Sequence, residues 1–334
     1  MKWREYEPLK DKTTLRVGGS ARYFVDTDDI QAAVSFGKEK DLPIFILGGG
    51  SNVVLPDGDV DAVVISPAHT SIEILSDTDE EVVIRVGAAC VLDTFIQYTV
   101  DRGWWGLENL SFIPGSVAGL VVQNVGAYGT EAKEHIQEVS VFDIEENAYK
   151  VYTNAACNFG YRKSIFNTDK KGVYVITHVT LRLSKKPKPV LSYRGVAECI
   201  KNTSQQHIRD TIIAIRKEKD LDPDRVWSVG SFFKNVEVKD ISHLPEVIQE
   251  KCFKTGVGYK IPSGALIEHA GLKGFCVNDA FVSSTQANML INTGNASQKD
   301  FKDLYIHVCG VVEQKFNARL THEPEFVDVQ NMYG

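Results

Sequence analysis

Residues 107–129 read LENLSFIPGSVAGLVVQNVGAYG, two glycine-bearing loops on either side of a short apolar run. The first loop, Pro114-Gly115-Ser116-Val117, follows Glu108-Asn109-Leu110-Ser111-Phe112-Ile113. The second runs through Gln123-Asn124-Val125-Gly126-Ala127-Tyr128-Gly129. Glycine has no Cβ, so backbone at such positions can approach a ligand closely. Two tight turns around a buried helix would use the same glycines. The density of Asn, Gly and Ser beside apolar residues favours backbone laid against a flat ligand.

Upstream, apolar residues at helical spacing (Ile30, Ala33, Val34, Phe36) predict a helix over 28–41 with an Asp as N-cap. Residues 43–47, Pro-Ile-Phe-Ile-Leu, then read as a buried strand running into Gly48-Gly49-Gly50-Ser51-Asn52. A dinucleotide fingerprint would need glycine at 53, where Val53 stands, and the lysine of a P-loop is missing. Ser51 and Asn52 add side-chain donors suited to phosphate. Strands are expected over 60–65, 72–75 and 81–86, and a helix over 91–102 closed by Gly103. This opening describes one α+β unit followed by a larger one.

Downstream, residues 139–142, 150–152 and 173–183 read as strands. The last alternates Val175, Thr177, Val179 and Leu181 with Ile176, His178, Thr180 and Arg182. Between them, Phe159-Gly160-Tyr161-Arg162-Lys163-Ser164-Ile165-Phe166 sets two cations among three aromatics, and Arg162 offers a planar fork to a carboxylate. Residues 185–189 (KKPKP) form a stiff, solvated basic connector. A helix over 208–219 opens a third unit. Val229-Gly230-Ser231-Phe232-Phe233-Lys234-Asn235 can hold a serine rigid at a pocket wall, but it is not the G-x-S-x-G elbow of a hydrolase. Lys260 to Gly274 reads as a Pro-initiated helix stopped by glycine. Residues 298–316 carry an apolar stripe from Phe301 to Phe316 that reads as core packing.

Composition narrows the class. The 334 residues are 43% hydrophobic and 24% charged, which argues against disorder. Lys plus Arg number 37 and Asp plus Glu 44, a net charge of −7 that disfavours bulk attraction to nucleic acid or anionic membrane. No apolar run approaches the roughly 18 residues of a membrane span, and residues 1–14 lack the apolar stretch of a signal peptide. Six scattered cysteines without a CxxC pair read as free thiols in a reducing compartment, with no metal site expected.

Taken in order, GGGSN, ENLSFIPGSV, QNVGAYG, YRKSIF, GSFFKN and IPSGALIEHAGLKG resemble the bacterial UDP-N-acetylenolpyruvoylglucosamine reductases, flavoenzymes of peptidoglycan precursor synthesis. The resemblance runs from Thr13 to about Val327. It implies an α+β chain: a two-subdomain FAD-binding fold of the vanillyl-alcohol-oxidase type plus a C-terminal α+β substrate domain. The implied boundaries are 1–66 and 67–211 for the FAD subdomains, 212–318 for the substrate domain and 319–334 for a tail returning to the active site.

The resemblance also implies roles. Gly48, Gly49, Gly50, Ser51, Asn52, Pro114, Gly115, Ser116, Val117, Asn124, Gly126, Ala127, Tyr128 and Gly129 match positions that hold FAD. Arg162 matches the arginine that stabilises a developing enolate, and Ser231 the proton donor. Arg216, Lys219, Asn235 and Lys273 match positions that hold the UDP-sugar. Tyr193, within Pro189-Val190-Leu191-Ser192-Tyr193, matches the subtype in which a tyrosine loop closes over the substrate. The catalytic acid falls on Glu323 when the tail is aligned without a gap, and on Glu325 if two residues are inserted. Pro324 stands where a strand residue is usual, and Ala118, Val121 and Val236 replace a Gly, a Pro and a Pro.

The implied reaction is reduction of UDP-N-acetylglucosamine-enolpyruvate to the lactyl ether. Hydride from NADPH reaches C3 through FAD, charge develops at C2 and its carboxylate beside Arg162 and Glu323, and Ser231 protonates C2. A bacterial cytoplasmic monomer is expected. Two competing readings are another FAD-dependent sugar or alcohol oxidoreductase on the same fold, which gives no reason for GSFFKN and IPSGALIEHAGLKG, and a non-catalytic flavin or sugar-nucleotide binder.

Overall fold

The computed structural model describes residues 1–328 except Ser192, Arg194, Gly195 and Asp220. Residues 329–334 of the expected tail, and Ser192 of the tyrosine segment, lie outside the described residues. Short apolar strands build the first layer. β1 (Arg4–Pro8), β2 (Ser20–Thr27), β3 (Ile44–Ile46) and β5 (Asp59–Pro67) form a sheet in the order β1-β2-β5-β3. Here β2 and β3 each run parallel to β5, and β1 lies antiparallel at the edge. Helix α1 (Ile30–Glu39), capped by Asp29 accepting from the Ala32 N–H, buries Ile30, Ala33 and Val34 against Val25, Ile44, Val63 and Ile65. Strands β1 and β2 are additions to the sequence reading; Arg22 and Asp26 interrupt the apolar alternation of β2.

The second layer is an antiparallel sheet ordered β11-β10-β12-β7-β6, from β6 (Ile72–Asp77), β7 (Glu81–Gly87), β10 (Ile136–Asp143), β11 (Ala148–Thr153) and β12 (Tyr174–Ser184). Helices α2 (Leu92–Val100) and α3 (Val117–Val122) cover one face, where Phe95, Ile96, Leu120 and Val121 pack on Val82, Ile84, Val86, Val179 and Leu181. The apolar run of the opening motif is therefore a buried helix, α3, and its N-cap Ser116 accepts from the Gly119 N–H. After it comes a small hairpin of β8 (Gly126–Ala127) and β9 (Thr130–Glu131).

Helix α4 (Gln205–Glu218), capped by Ser204, lies against this unit. Arg209 donates from both terminal nitrogens to the two carboxylate oxygens of Asp93 on α2, at 2.6 and 2.8 Å. The last unit carries two sheets. One is β13-β19-β18-β17, from β13 (Trp227–Ser231), β17 (Cys276–Val277), β18 (Ala280–Val282) and β19 (Met289–Asn292). The other is β14-β16-β15, from β14 (Val236–Val238), β15 (Phe253–Thr255) and β16 (Gly258–Ile261). With α5 (Glu246–Gln249), α6 (Ser263–His269) and α7 (Gln298–Phe316) they enclose one core, into which α7 presents Phe301, Leu304, Val308 and Val312.

The chain then turns back. Residues 321–323 pair with the segment after β13: Lys234 N donates to Thr321 O, and Glu323 N to Phe232 O. Next, β20 (Glu325–Phe326) pairs in parallel with β4 (Val53–Val54), directly after the triple-glycine loop. Pro324 sits at the changeover between the two pairings, where its missing N–H breaks no ladder.

Candidate active site

These elements converge on a cavity of about 1180 Å³. Its first wall is the triple-glycine loop, with Gly48, Gly49, Gly50, Ser51 and Asn52 all lining it. A Cβ on Gly49 would lie 2.6 Å from Gly115 Cα and 2.9 Å from Ser116 N, so this loop and the Pro114–Ser116 loop touch backbone to backbone. Gly50 has φ of +61°, and a Cβ there would fall 1.9 Å from the Lys12 carbonyl oxygen. The glycines thus make a thin double wall. That wall and the cavity's size fit an extended dinucleotide cofactor together with a sugar nucleotide.

The second wall comes from Pro114, Ser116, Gly126, Ala127 and Tyr128, which line the same cavity. Other residues expected there have different positions. Val117 is fully buried in the core of the second layer. Asn124 is buried as a brace, donating to Glu131 and to the Gly160 carbonyl while accepting from Lys133 N. Gly115 and Gly129 are not among the lining residues. Of the departures, Ala118 lines the cavity, Val121 is core, and Val236 opens β14 opposite Ile261.

Arg162 sits in a tight turn closed by Gly160 N to Lys163 O at 2.9 Å, with φ of +54°. The left-handed conformation of a non-glycine residue is a strained state that must be held. Asn167 holds it, donating to the Arg162 carbonyl and completing a capping box with Ser164. Arg162 Nε then donates to Glu323 Oε1 at 2.8 Å. The Glu323 carbonyl is fixed by Gln123 Nε2 at 3.2 Å and Asn52 Nδ2 at 3.4 Å. Burial pushes the Glu323 carboxyl above the ordinary carboxylate range, against the downward pull of Arg162 and Lys234. Glu325 lines the cavity as well, but its carboxylate pairs with Lys171 at 2.8 Å.

Ser231 ends β13 after Gly230, whose φ is +74°. The next two side chains anchor it: Phe232 and Phe233 are fully buried, stacked on Phe301 and Tyr305 respectively. Ser231 itself faces the cavity, and its Oγ accepts from Asn288 Nδ2 at 3.1 Å. Glu323 N bonds the carbonyl of the very next residue, Phe232, so the tail lies alongside the serine's strand.

Tyr193, Arg216, Lys219, Asn235 and Lys273 also line the cavity. The Tyr193 ring meets Tyr128 edge-on at 5.6 Å, and the Lys219 ammonium lies 5.9 Å from the Tyr128 ring centre. Buried Arg216 donates from Nε to the Phe112 carbonyl at 3.1 Å. Asn235 Oδ1 accepts from Ser263 N at the start of α6, and Lys273 Nζ pairs with Glu268 at 2.6 Å. Asn288 and Gln123 were missed by the sequence reading. Gln123 stood inside a quoted motif without a role, and Asn288 lies in a segment with no motif at all.

Residues 22–148 match the family model of an FAD binding domain. Residues 222–327 match that of the UDP-N-acetylenolpyruvoylglucosamine reductase C-terminal domain. The UDP-N-acetylenolpyruvoylglucosamine reductase of Flavobacterium johnsoniae is 36% identical over 326 residues, covering 94% of this chain and 96% of its own. That of Aliivibrio fischeri is 34% identical over 328 residues, covering 95% and 93%. The crystal structure of UDP-N-acetylenolpyruvylglucosamine reductase from Thermus caldophilus superposes with a TM-score of 0.68 at 28% identity, covering 98% of each chain.

Proposed function

The chain belongs to the UDP-N-acetylenolpyruvoylglucosamine reductase family, and from that premise we propose roles for the residues around its cavity. The protein is an FAD-dependent, NADPH-using oxidoreductase of peptidoglycan precursor synthesis. It reduces the enolpyruvyl group of UDP-N-acetylglucosamine-enolpyruvate to the lactyl ether. The match over 222–327 speaks against an oxidase that would need only the first half of the chain.

FAD, when bound, supplies the hydride chemistry between NADPH and the enolpyruvyl carbon. The glycine walls at 48–50 and 114–116 and the hairpin at 126–128 hold and orient it. Arg162 faces the carboxylate of the substrate, where a fixed cation stabilises negative charge as it develops at C2. Its strained backbone and the Glu323 contact fix the guanidinium before substrate arrives, so little reorganisation is needed. Ser231 Oγ gives its proton to C2, and the Asn288 amide, donating to that oxygen, favours the alkoxide left behind. Lys234 adds positive charge three residues further on, in the segment after β13. Glu323, whose burial raises its proton affinity, is assigned to share or return that proton.

Arg216, Lys219 and Lys273 concentrate positive charge for an anionic nucleotide in a chain of net charge −7. Asn235 and Tyr193 complete the UDP-sugar contacts. We propose the division into 1–66, 67–211, 212–318 and a tail from 319, although its second boundary falls inside α4 and its first just before the last residue of β5. We read the enzyme as a cytoplasmic monomer and, on its charge balance, as engaging neither nucleic acid nor membrane; among the described residues no helix is long and apolar enough to cross a membrane.

The observation that carries the assignment is the tail pairing, which sets Glu323 against Arg162 and beside the strand of Ser231. Anaerobic flavin absorbance tests it. NADPH bleaches the wild-type flavin, and UDP-N-acetylglucosamine-enolpyruvate restores it. Ser231→Ala bleaches normally but does not recover. Equal loss of both half-reactions would remove Ser231 from the proton-donor role.

A further inference from the structure

A second, smaller cavity of about 270 Å³ shares no residue with the first. It opens on the second sheet, where Arg85 of β7, Ser140 of β10, Lys150 of β11 and His178 of β12 meet His69 from the loop after β5. Its position is built into the fold. Ala89 N donates to the His69 carbonyl at 2.9 Å and Gly87 N to that of Ser71 at 2.8 Å. A Cβ on Gly87 would lie only 2.3 Å from the His69 carbonyl oxygen, so a glycine lets this loop lie against the strand.

The cavity is lined by ring and guanidinium nitrogens without partners, while His178 Nε2 meets Ser71 Oγ at 3.5 Å. His69 Nδ1, His178 Nδ1 and Arg85 Nε are all buried without a hydrogen-bond partner. Among the described residues Arg85 forms no ion pair. The two imidazoles contact edge-to-face at 4.9 Å. Unpaired buried polar groups are rare because they forgo water without replacement. Three of them around one small cavity, all cationic or able to become so, call for a common acceptor.

We propose that this cavity binds a small tetrahedral oxyanion, phosphate or sulfate, between Arg85, His69 and His178. Arg85 supplies a permanent charge, and each imidazole supplies an N–H. The surrounding acids limit the affinity without occupying the site. Glu73 of β6 lies opposite Arg85 in register, Asp28 acts on His69, and Asp28 and Asp29 act on Tyr149 at the rim. Lys150 is already paired with Asp143 and Glu146, so it contributes field more than contact.

Burial holds both histidines below their ordinary value, and Arg85 and His69 add to it at His178, which is pushed down to about 4. A bound dianion supplies the opposite charge, so it must raise their proton affinity by the same factor as protonation raises anion affinity.

The test uses the full-length, FAD-loaded enzyme and follows the histidine ring NMR resonances. Sodium sulfate, a dianion throughout the titration, is compared with sodium chloride at equal ionic strength. His69 and His178 shift saturably with sulfate, and His178 takes up its proton at a pH at least one unit higher than in chloride, a tenfold gain in affinity. Anion binding in the substrate cavity would not move these two rings. The response disappears in Arg85→Gln, while reductase turnover stays within twofold as the check on folding. His178→Asn, which keeps Arg85, weakens the His69 response at least threefold. Resonances that do not distinguish sulfate from chloride, or a response unchanged in Arg85→Gln, would overturn the proposal.

Discussion

Arg162 Nε lies 2.8 Å from Glu323 Oε1, joining residues 161 positions apart in the chain. Each side of the pair is supported separately. Arg162 is held in a left-handed turn by Asn167, and Glu323 by main-chain pairing to Phe232 and by Gln123 and Asn52 at its carbonyl. The contact therefore ties three units of the fold together at one point of the cavity. It is also where the two candidate acids of the tail diverge, because Glu325 turns to Lys171 instead.

That divergence predicts unequal variants. Glu323→Gln leaves NADPH-driven flavin bleaching intact and slows recovery on the enolpyruvyl substrate by roughly 10²–10⁴-fold, the usual worth of a positioned proton-transfer group. Glu325→Gln removes only a partly exposed ion pair, worth about 0–1 kcal/mol, and changes either half-reaction by a few-fold at most. Stopped-flow absorbance on both variants decides; the reverse ranking would move the acid to Glu325.

The burial of Glu323 has a signature in stability. Its carboxyl titrates above the ordinary 4.5, chiefly through burial, so the folded state holds the proton more tightly than the unfolded chain. The contribution is fully present below about pH 4.5 and is lost as pH rises through the folded value. Glu323→Gln stays neutral throughout. Denaturant midpoints measured from pH 4 to 8 therefore fall for wild type relative to the variant. Parallel curves would show that the carboxyl is not buried as described.

The glycine wall predicts a cofactor defect. In Gly49→Ala the new methyl meets Gly115 Cα at 2.6 Å and Ser116 N at 2.9 Å, both backbone atoms that cannot rotate away. Overpacking of this kind typically costs about 1–3 kcal/mol. Because both loops line the cavity, the expected result is FAD affinity weakened roughly 10–100-fold, read from flavin lost on gel filtration. Undiminished flavin content would mean that the two loops can part without cost.

Much of this was legible in local sequence. Capped helices such as α1 and the alternating strand β12 announce themselves through periodicity, and the glycine loops through residues that few other structures require. What was not legible depends on contacts between distant segments. Val117 belongs to a ligand-facing motif, yet its side chain turns into the core as the first residue of α3. Asn124 carries the polarity of a ligand contact but braces Gly160 and Glu131. Asn288 touches Ser231 from 57 residues away with no motif around it. Pro324 looks like a strand breaker until two pairings are seen to meet there.

The clamp between Asp93 and Arg209 is of the same long-range kind, and it predicts a stability loss with a definite pH dependence. The Asp93 carboxylate accepts both terminal nitrogens of Arg209 and also the backbone N–H of Phe112, whose own carbonyl accepts from Arg216. Phe112 has φ of +62°, so these two contacts hold a strained residue just before the Pro114 loop. Burial alone would raise the Asp93 pKa; the Arg209 and Phe112 hydrogen bonds outweigh it and leave the group below its ordinary 3.8. Asp93→Asn leaves Arg209 buried without its counter-charge, an imbalance that costs roughly 3 kcal/mol. Because the folded value is depressed, wild type keeps its advantage above about pH 4 and loses it as pH falls through the folded value. Urea unfolding of both proteins at pH 7 and near pH 3 measures the gap directly: wide at the first, narrowed at the second. A gap equal at both would mean that packing, and not the carboxylate charge, holds α4 to α2.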